Sequence, residues 1–271
     1  MARRAFSNSN PALSDTAFER IAATEAGWAA GTEQKVQAEL GIPTAIKTMT
    51  VNGTIWATGA LLVLLVGAAI YGWNQVDITA EEVTWPGWIF PVALVAFGVA
   101  IVTCFKPDLA RFTAPIYALL QGTVLGAISG LYNAAWDGIV LQAVSLTIGV
   151  FFMMLFLYGT RIIKVTERLR MGIVAATGAV FLVYLANMIF SLFGSDLPFL
   201  HESSAIGIAI SLVIVGVAAF NLLLDFDFVE RGVAAGAPAK VEWYAGFGLL
   251  VTIVWLYLEL LRLLALLQGR D

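Results

Sequence analysis

GIVLQAVSLTIGVFFMMLFLYGT, residues 138–160, contains no Asp, Glu, Lys or Arg across 23 positions. A helix needs about 20 mostly apolar residues to cross the hydrocarbon core of a bilayer, so this stretch predicts a transmembrane helix. Six further uncharged stretches flank it, at 48–76, 83–105, 112–136, 171–195, 203–224 and 243–258. The last is short, but apolar sequence resumes at 263–267 beyond Glu259 and Arg262. It predicts one spanning helix that carries two charged residues. Of 271 residues, 60% are hydrophobic and only 13% charged, and the mean hydropathy is +0.87. A soluble domain is about half apolar and a quarter charged. That contrast excludes a soluble enzyme, a disordered chain and a secreted disulfide scaffold. Backbone groups in lipid must pair within their own segment or around a closed barrel. The alternating ten-residue segments of a barrel are missing from the sequence. The predicted class is therefore all-α, a polytopic integral membrane protein with seven transmembrane helices.

The basic residues set the expected orientation. Arg3, Arg4, Arg20, Lys35 and Lys47 precede the first run. Lys106 and Arg111 follow the second, and Arg161, Lys164, Arg168 and Arg170 follow the fourth. Arg231 and Lys240 follow the sixth, so thirteen of the fifteen Lys and Arg fall on one side. The positive-inside rule makes that side cytoplasmic, with the N-terminus inside and the C-terminus outside. Trp56, Trp73, Trp85, Trp88, Trp136 and Trp243 fall near predicted helix ends, where aromatic residues sit at the membrane interface. Residues 1–47 are polar, lack the apolar core of a signal peptide, and read as a cytoplasmic tail. A short helix over about 15–40, capped at Ser14-Asp15, is expected within it. The transmembrane domain is then 48–271.

A net charge of -4 argues against nucleic acid as a partner. No catalytic residue and no cofactor is expected. His201 is the one histidine, in a predicted outer loop, and neither HExxH nor CxxC occurs. No zinc site of the usual kind, nucleophile elbow or phosphate-binding loop can be read. Asp225 and Asp227 raise the question of an intramembrane aspartyl protease, but no Gly-x-Gly-Asp context accompanies them. The single Cys104 cannot form an internal disulfide and reads as a buried, inert thiol. Gly122, Gly126 and Gly130 recur every four residues and make a smooth stripe for close helix approach. Packing within the chain is the favoured use, with a homodimer contact as the alternative.

The acids are the sharper signal, because a carboxylate deep in a bilayer costs about 2.5–3.5 kcal/mol on insertion scales. Glu259 lies inside the seventh run, and Arg262, three residues later, shares its face and can pair with it. The pair reads either as self-neutralising or as a group on an ion or proton path. Asp225 and Asp227 are two residues apart, so one helix cannot point both inward. Asp225 is the candidate to face the bundle, with Lys106 or Arg111 as a candidate latch on the same side.

The strings 221–231 (NLLLDFDFVER), 242–262 (EWYAGFGLLVTIVWLYLELLR) and 114–132 (APIYALLQGTVLGAISGLY), with Asn10-Pro11 and 48–51 (TMTV), resemble the Bax inhibitor-1 family in its bacterial YccA-like branch. The resemblance implies six helices around a central seventh. It also implies a proton-sensitive calcium leak gated by an acid on helix 6 and an acid on helix 7. By that resemblance Asp225 (alternatively Asp227) and Glu259 are the gate, and a base on helix 2, nearest Lys106, pairs with the first. Glu259 stands where the family carries Asp. Asp225 and Glu259 are also more widely spaced in sequence than the family's pair. With helix 6 ending near Arg231 and helix 7 starting near Trp243, straight helices put them about 9 Å and 24 Å from the inner boundary at 1.5 Å per residue, out of contact unless helix 6 continues further or helix 7 begins lower.

Two functions follow as expectations. One is a pH-sensitive cation (calcium) leak channel of the bacterial cytoplasmic membrane. The other is a regulatory membrane protein that binds another, such as a quality-control protease. A secondary transporter would show internal repeats, which an odd helix number does not favour. Lipid bilayer, calcium or other cations, and a membrane-protein partner are the expected partners, and no metal ligand set can be read.

Overall fold

The computed structural model describes residues 47–76, 78–79, 82–83, 86–192 and 204–269. The expected tail helix, the His201 loop, Trp85 and Arg270 lie outside the described residues. Among the described residues seven α-helices follow in order: α1 Val51–Trp73, α2 Ile89–Phe105, α3 Ala110–Ala135, α4 Ile139–Gly159, α5 Glu167–Leu192, α6 Ala205–Ala234 and α7 Val241–Gln268. The chain is a multi-pass membrane protein. Among the described residues six helices are long and apolar enough to cross a membrane, and the 17-residue α2 is shorter.

The run expected at 83–105 yields helix only from Ile89. Two two-residue strands, Ile78–Thr79 and Glu82–Val83, pair antiparallel instead. The second helix stops where Pro107 opens a 3-10 turn, Pro107–Leu109, leading into α3; the ring fixes φ and the missing N–H cannot continue the helical ladder. At the sixth run the difference is opposite. The helix extends ten residues beyond the last uncharged position, through Asp225, Asp227, Glu230 and Arg231, to Ala234. Thirty residues make α6 about 45 Å long, so its charged turns extend past a hydrocarbon core of about 30 Å.

Apolar side chains sort by enclosure. In α7, 67% of the apolar window is buried, against 61% in α3 and 50% in α6. The corresponding share is 28% in α1, 22% in α4 and 11% in α5. The seventh helix is thus central and packs on α1, α3, α4 and α6, with α3 nearly as enclosed. Peripheral helices turn large apolar groups outward, as with Phe90 at 75% exposure, an arrangement that suits lipid.

Close approach of α1 and α3 depends on glycine. A β-carbon at Gly122 would collide with the Leu65 carbonyl, one at Gly126 with the Ala69 carbonyl, and one at Gly72 with the Thr123 carbonyl. The glycine stripe therefore serves packing within the chain, and Gly130 lies against Val76 at its end. Cys104, expected buried, is only partly enclosed, as a free thiol.

At the basic end, residues 47–50 form a strap across the α6–α7 turn. Met49 N donates to Ala237 O at 2.6 Å, and Ala239 N donates to Lys47 O at 2.8 Å. The turn needs Gly236, whose φ of 66° suits a residue without a β-carbon. Met49 itself is buried in the main core.

Gly126→Leu should lower unfolding free energy in detergent micelles by about 3 kcal/mol. Gly149→Leu, where a β-carbon meets nothing within 4 Å, should leave it unchanged or raise it by up to about 1 kcal/mol, since a helix-interior glycine is replaced.

Candidate functional site

The helical period separates the two aspartates of α6. Asp225 turns into the bundle and is 1% exposed. Asp227 turns toward α5, where Arg170 Nη2 lies 2.9 Å from its Oδ2 and Arg231 Nη2 2.6 Å. Arg170, only 3% exposed, reaches Glu167 at 3.0 Å with its other terminal nitrogen. One buried guanidinium thus ties two carboxylates on two helices. One turn farther, Glu230 accepts from the Tyr158 hydroxyl and pairs with Arg161. That carboxylate holds the Arg161 guanidinium above its ordinary range by hydrogen bonding.

Other contacts close the same end. Lys240 Nζ pairs with Asp108 at 3.0 Å. Glu242, in the first turn of α7, accepts from Thr50 N at 2.9 Å and from Thr50 Oγ1 at 3.0 Å. Gly53 makes room for that carboxylate. Lys106 is exposed at the end of α2 and forms no ion pair among the described residues. Arg111 lies 5.0 Å from the Phe112 ring centroid instead. The structure does not bring Lys106 to Asp225.

The second acid occupies another level. Glu259 is 4% exposed. Its Oε1 accepts from Tyr184 OH of α5 at 2.6 Å and from Trp255 Nε1 at 3.1 Å. Its Oε2 lies 3.6 Å from Arg262 Nη1. Arg262 also donates to Tyr184 OH, and its guanidinium carbon sits 5.7 Å from that ring's centroid. The tyrosine hydroxyl therefore accepts from the cation and donates to the anion. The expected Glu259–Arg262 pair is present, with a third member from another helix.

Ring packing fixes the distance between the two acids. The Phe228 and Tyr244 centroids are 6.4 Å apart, which sets Asp225 level with about residue 247 of α7. Glu259 is twelve residues farther along, about 18 Å at 1.5 Å per residue. The register of α5 agrees. Arg170 meets Asp227, and Thr177 accepts from Asn221 Nδ2 at 2.8 Å, so Tyr184 lies level with about residue 214. That is eleven residues from Asp225, about 16 Å. Helix 6 runs three residues past Arg231 and α7 starts two before Trp243, which is too little to close the gap. The acids form two stations, one near the basic end and one in the far half.

Between them lies a buried contact, Ser129 Oγ to Tyr257 OH at 2.7 Å. A crevice of about 710 Å³ opens between α1 and α4 beside that pair, and its lining, including Leu62, Val66, Val144 and Phe151, carries no charged group. No group of three or more His, Cys, Asp or Glu gathers among the described residues. Calcium takes six to eight oxygen ligands in a stable cage, so a single carboxylate can attract a cation only in passing.

Sequence reasoning overlooked Arg170, Tyr184, Trp255 and Glu230. The i,i+4 spacing of Asp227 and Arg231 was a usable signal. Tyr184 carried none, because it is one hydroxyl in an apolar run.

Arg170→Gln should cost about 1.5–3 kcal/mol of unfolding free energy, because it removes the charged contacts to Asp227 and Glu167 and leaves Asp227 with Arg231 alone. Adding Asp227→Asn should recover part of that loss, while Lys106→Gln should stay within about 0.5 kcal/mol of wild type. Denaturant titration in micelles measures all three.

The chain matches the sequence pattern of the family described as Bax inhibitor 1 like over residues 10–269. Comparison with curated proteins and with solved structures gives no match.

Proposed function

The chain belongs to the Bax inhibitor 1 like family, and from that premise we propose that it is a pH-sensitive cation leak channel, most suited to calcium. We place it in the bacterial cytoplasmic membrane, in the YccA-like manner, with its basic end and N-terminus inside. The positive-inside rule supports that orientation. The observation that carries the reading is the enclosure of Asp225 and Glu259, 1% and 4% exposed, within two adjacent spanning helices. Carboxylates held inside a membrane protein mark ion or proton pathways by default, and acidic groups favour cations. The reading is of a transport protein and assigns no covalent chemistry.

The geometry supports two gating stations in place of one coupled pair. At the far station, protonation of Glu259 removes its attraction for Arg262 and weakens what Tyr184 holds. Helix α5, the least enclosed of the six long spans, is then released from α7. At the near station, Asp225 presents charge to a cation entering from the basic end. Asp227, committed to Arg170 and Arg231, fixes α5 against α6 and is the lesser candidate for the gate.

A second reading, a regulator of another membrane protein, is supported by the strap. Residues 47–50 link the preceding chain to the turn between the two acid-bearing helices, so a partner pulling on that chain would act on both.

Calcium flux into proteoliposomes, compared between about pH 5 and pH 8, tests the channel. Wild type should leak with a pH dependence that Glu259→Gln largely abolishes, and Asp225→Asn should lower the flux at every pH. Folded protein that leaks no faster than empty liposomes would contradict the channel and favour the regulator.

A further inference from the structure

At the basic end four of the nine described cations are already paired. Arg170 and Arg231 share Asp227, Arg161 meets Glu230, and Lys240 meets Asp108. Arg168 and Lys164, like Lys106, are exposed and form no ion pair among the described residues, and Arg168 alone lines a groove. The groove, of about 240 Å³ between α5 and α6, has Leu169, Gly172, Ile173, Ala176, Val217 and Phe220 as its other walls. A β-carbon at Gly172 would meet nothing within 4 Å, so the space over it is open. The groove starts at the first turn of a membrane span, Glu167–Ser191. It follows that span for eight residues beyond Arg168, about 12 Å into the hydrocarbon.

A cation at the interfacial mouth of an apolar groove is complementary to a molecule with an anionic head and an apolar chain. We propose that the α5–α6 groove binds an anionic phospholipid. Its phosphate sits against the Arg168 guanidinium, with Lys164 contributing charge nearby. One acyl chain lies along Ile173 and Ala176 on one side and Val217 and Phe220 on the other. Guanidinium matches phosphate geometry with two parallel hydrogen bonds, and basic pockets between spanning helices suit lipid head groups. Free phosphate would use only the mouth and leave the apolar walls unfilled. The bound lipid seals α5, the helix with least contact to the rest of the bundle, against α6.

Native mass spectrometry of the full chain in detergent, titrated with phosphatidylglycerol and with phosphatidylcholine, tests the site. Wild type should retain phosphatidylglycerol in preference to phosphatidylcholine and should not retain inorganic phosphate. Arg168→Gln should weaken phosphatidylglycerol about fivefold, the value of one interfacial cation. Gly172→Leu fills the groove and should weaken it comparably while Arg168 remains. Arg111→Gln, a basic-end cation outside the groove, should leave retention unchanged. Equal retention by wild type and Arg168→Gln overturns the proposal. Loss with Arg168→Gln but not with Gly172→Leu also overturns it, since lipid would then meet only a diffuse positive surface.

Discussion

A carboxylate carried into a bilayer costs about 2.5–3.5 kcal/mol on insertion scales unless the protein supplies donors or charge around it. That constraint organises the contacts among α5, α6 and α7. Glu259 is met by a tyrosine, a tryptophan and an arginine. Asp227 is met by two arginines from two helices. These contacts hold α5, whose apolar packing is the thinnest in the bundle, at both ends of its length. An apolar helix gains little from leaving lipid for another apolar helix, so polar contacts decide where α5 sits.

The opposite side of the bundle is held differently. There α1 and α3 meet through backbone contact over Gly72, Gly122 and Gly126. Dispersion between close backbones replaces hydrogen bonds as the adhesive. A fixed wall of α1 and α3 thus faces a flank whose position depends on charge. If the protein responds to protons, α5 and the Tyr184 contact are where the response is mechanically expressed.

The number and location of helices were legible because charges are excluded from spans. The same rule marks where charge begins, and the end of α6, expected near Arg231, lies three residues further on. Asp225 and Asp227 break the uncharged run at residue 224, yet the helix continues to Ala234, since a helix does not end where the membrane does. The inward turn of Asp225 and the outward turn of Asp227 followed from helical period, as did the Glu259–Arg262 pair. Rise per residue gave the separation of the two acids only for assumed helix ends, and the register of α6 on α7 supplies it. Partners contributed by other helices did not. Arg170 read only as one more basic residue in a loop, and Tyr184 as one more aromatic in an apolar run, because contacts between α5 and its neighbours depend on register that one sequence does not encode locally. Lys106 was chosen for its side of the membrane and its place at the end of helix 2, and the structure leaves it on the surface.

The central claim is that Asp225 and Glu259 are separate stations, about 18 Å apart along the bundle, with Glu259 held by Tyr184, Trp255 and Arg262. A double-mutant cycle on unfolding free energy in micelles, with Asp225→Asn, Glu259→Gln and the double variant, tests it most directly. Sites more than about 7–10 Å apart with no shared partner add to within about 0.5 kcal/mol, and that additivity is the predicted result. A coupling energy above about 1 kcal/mol, of either sign, would mean that the acids touch or share a partner, and would contradict the account.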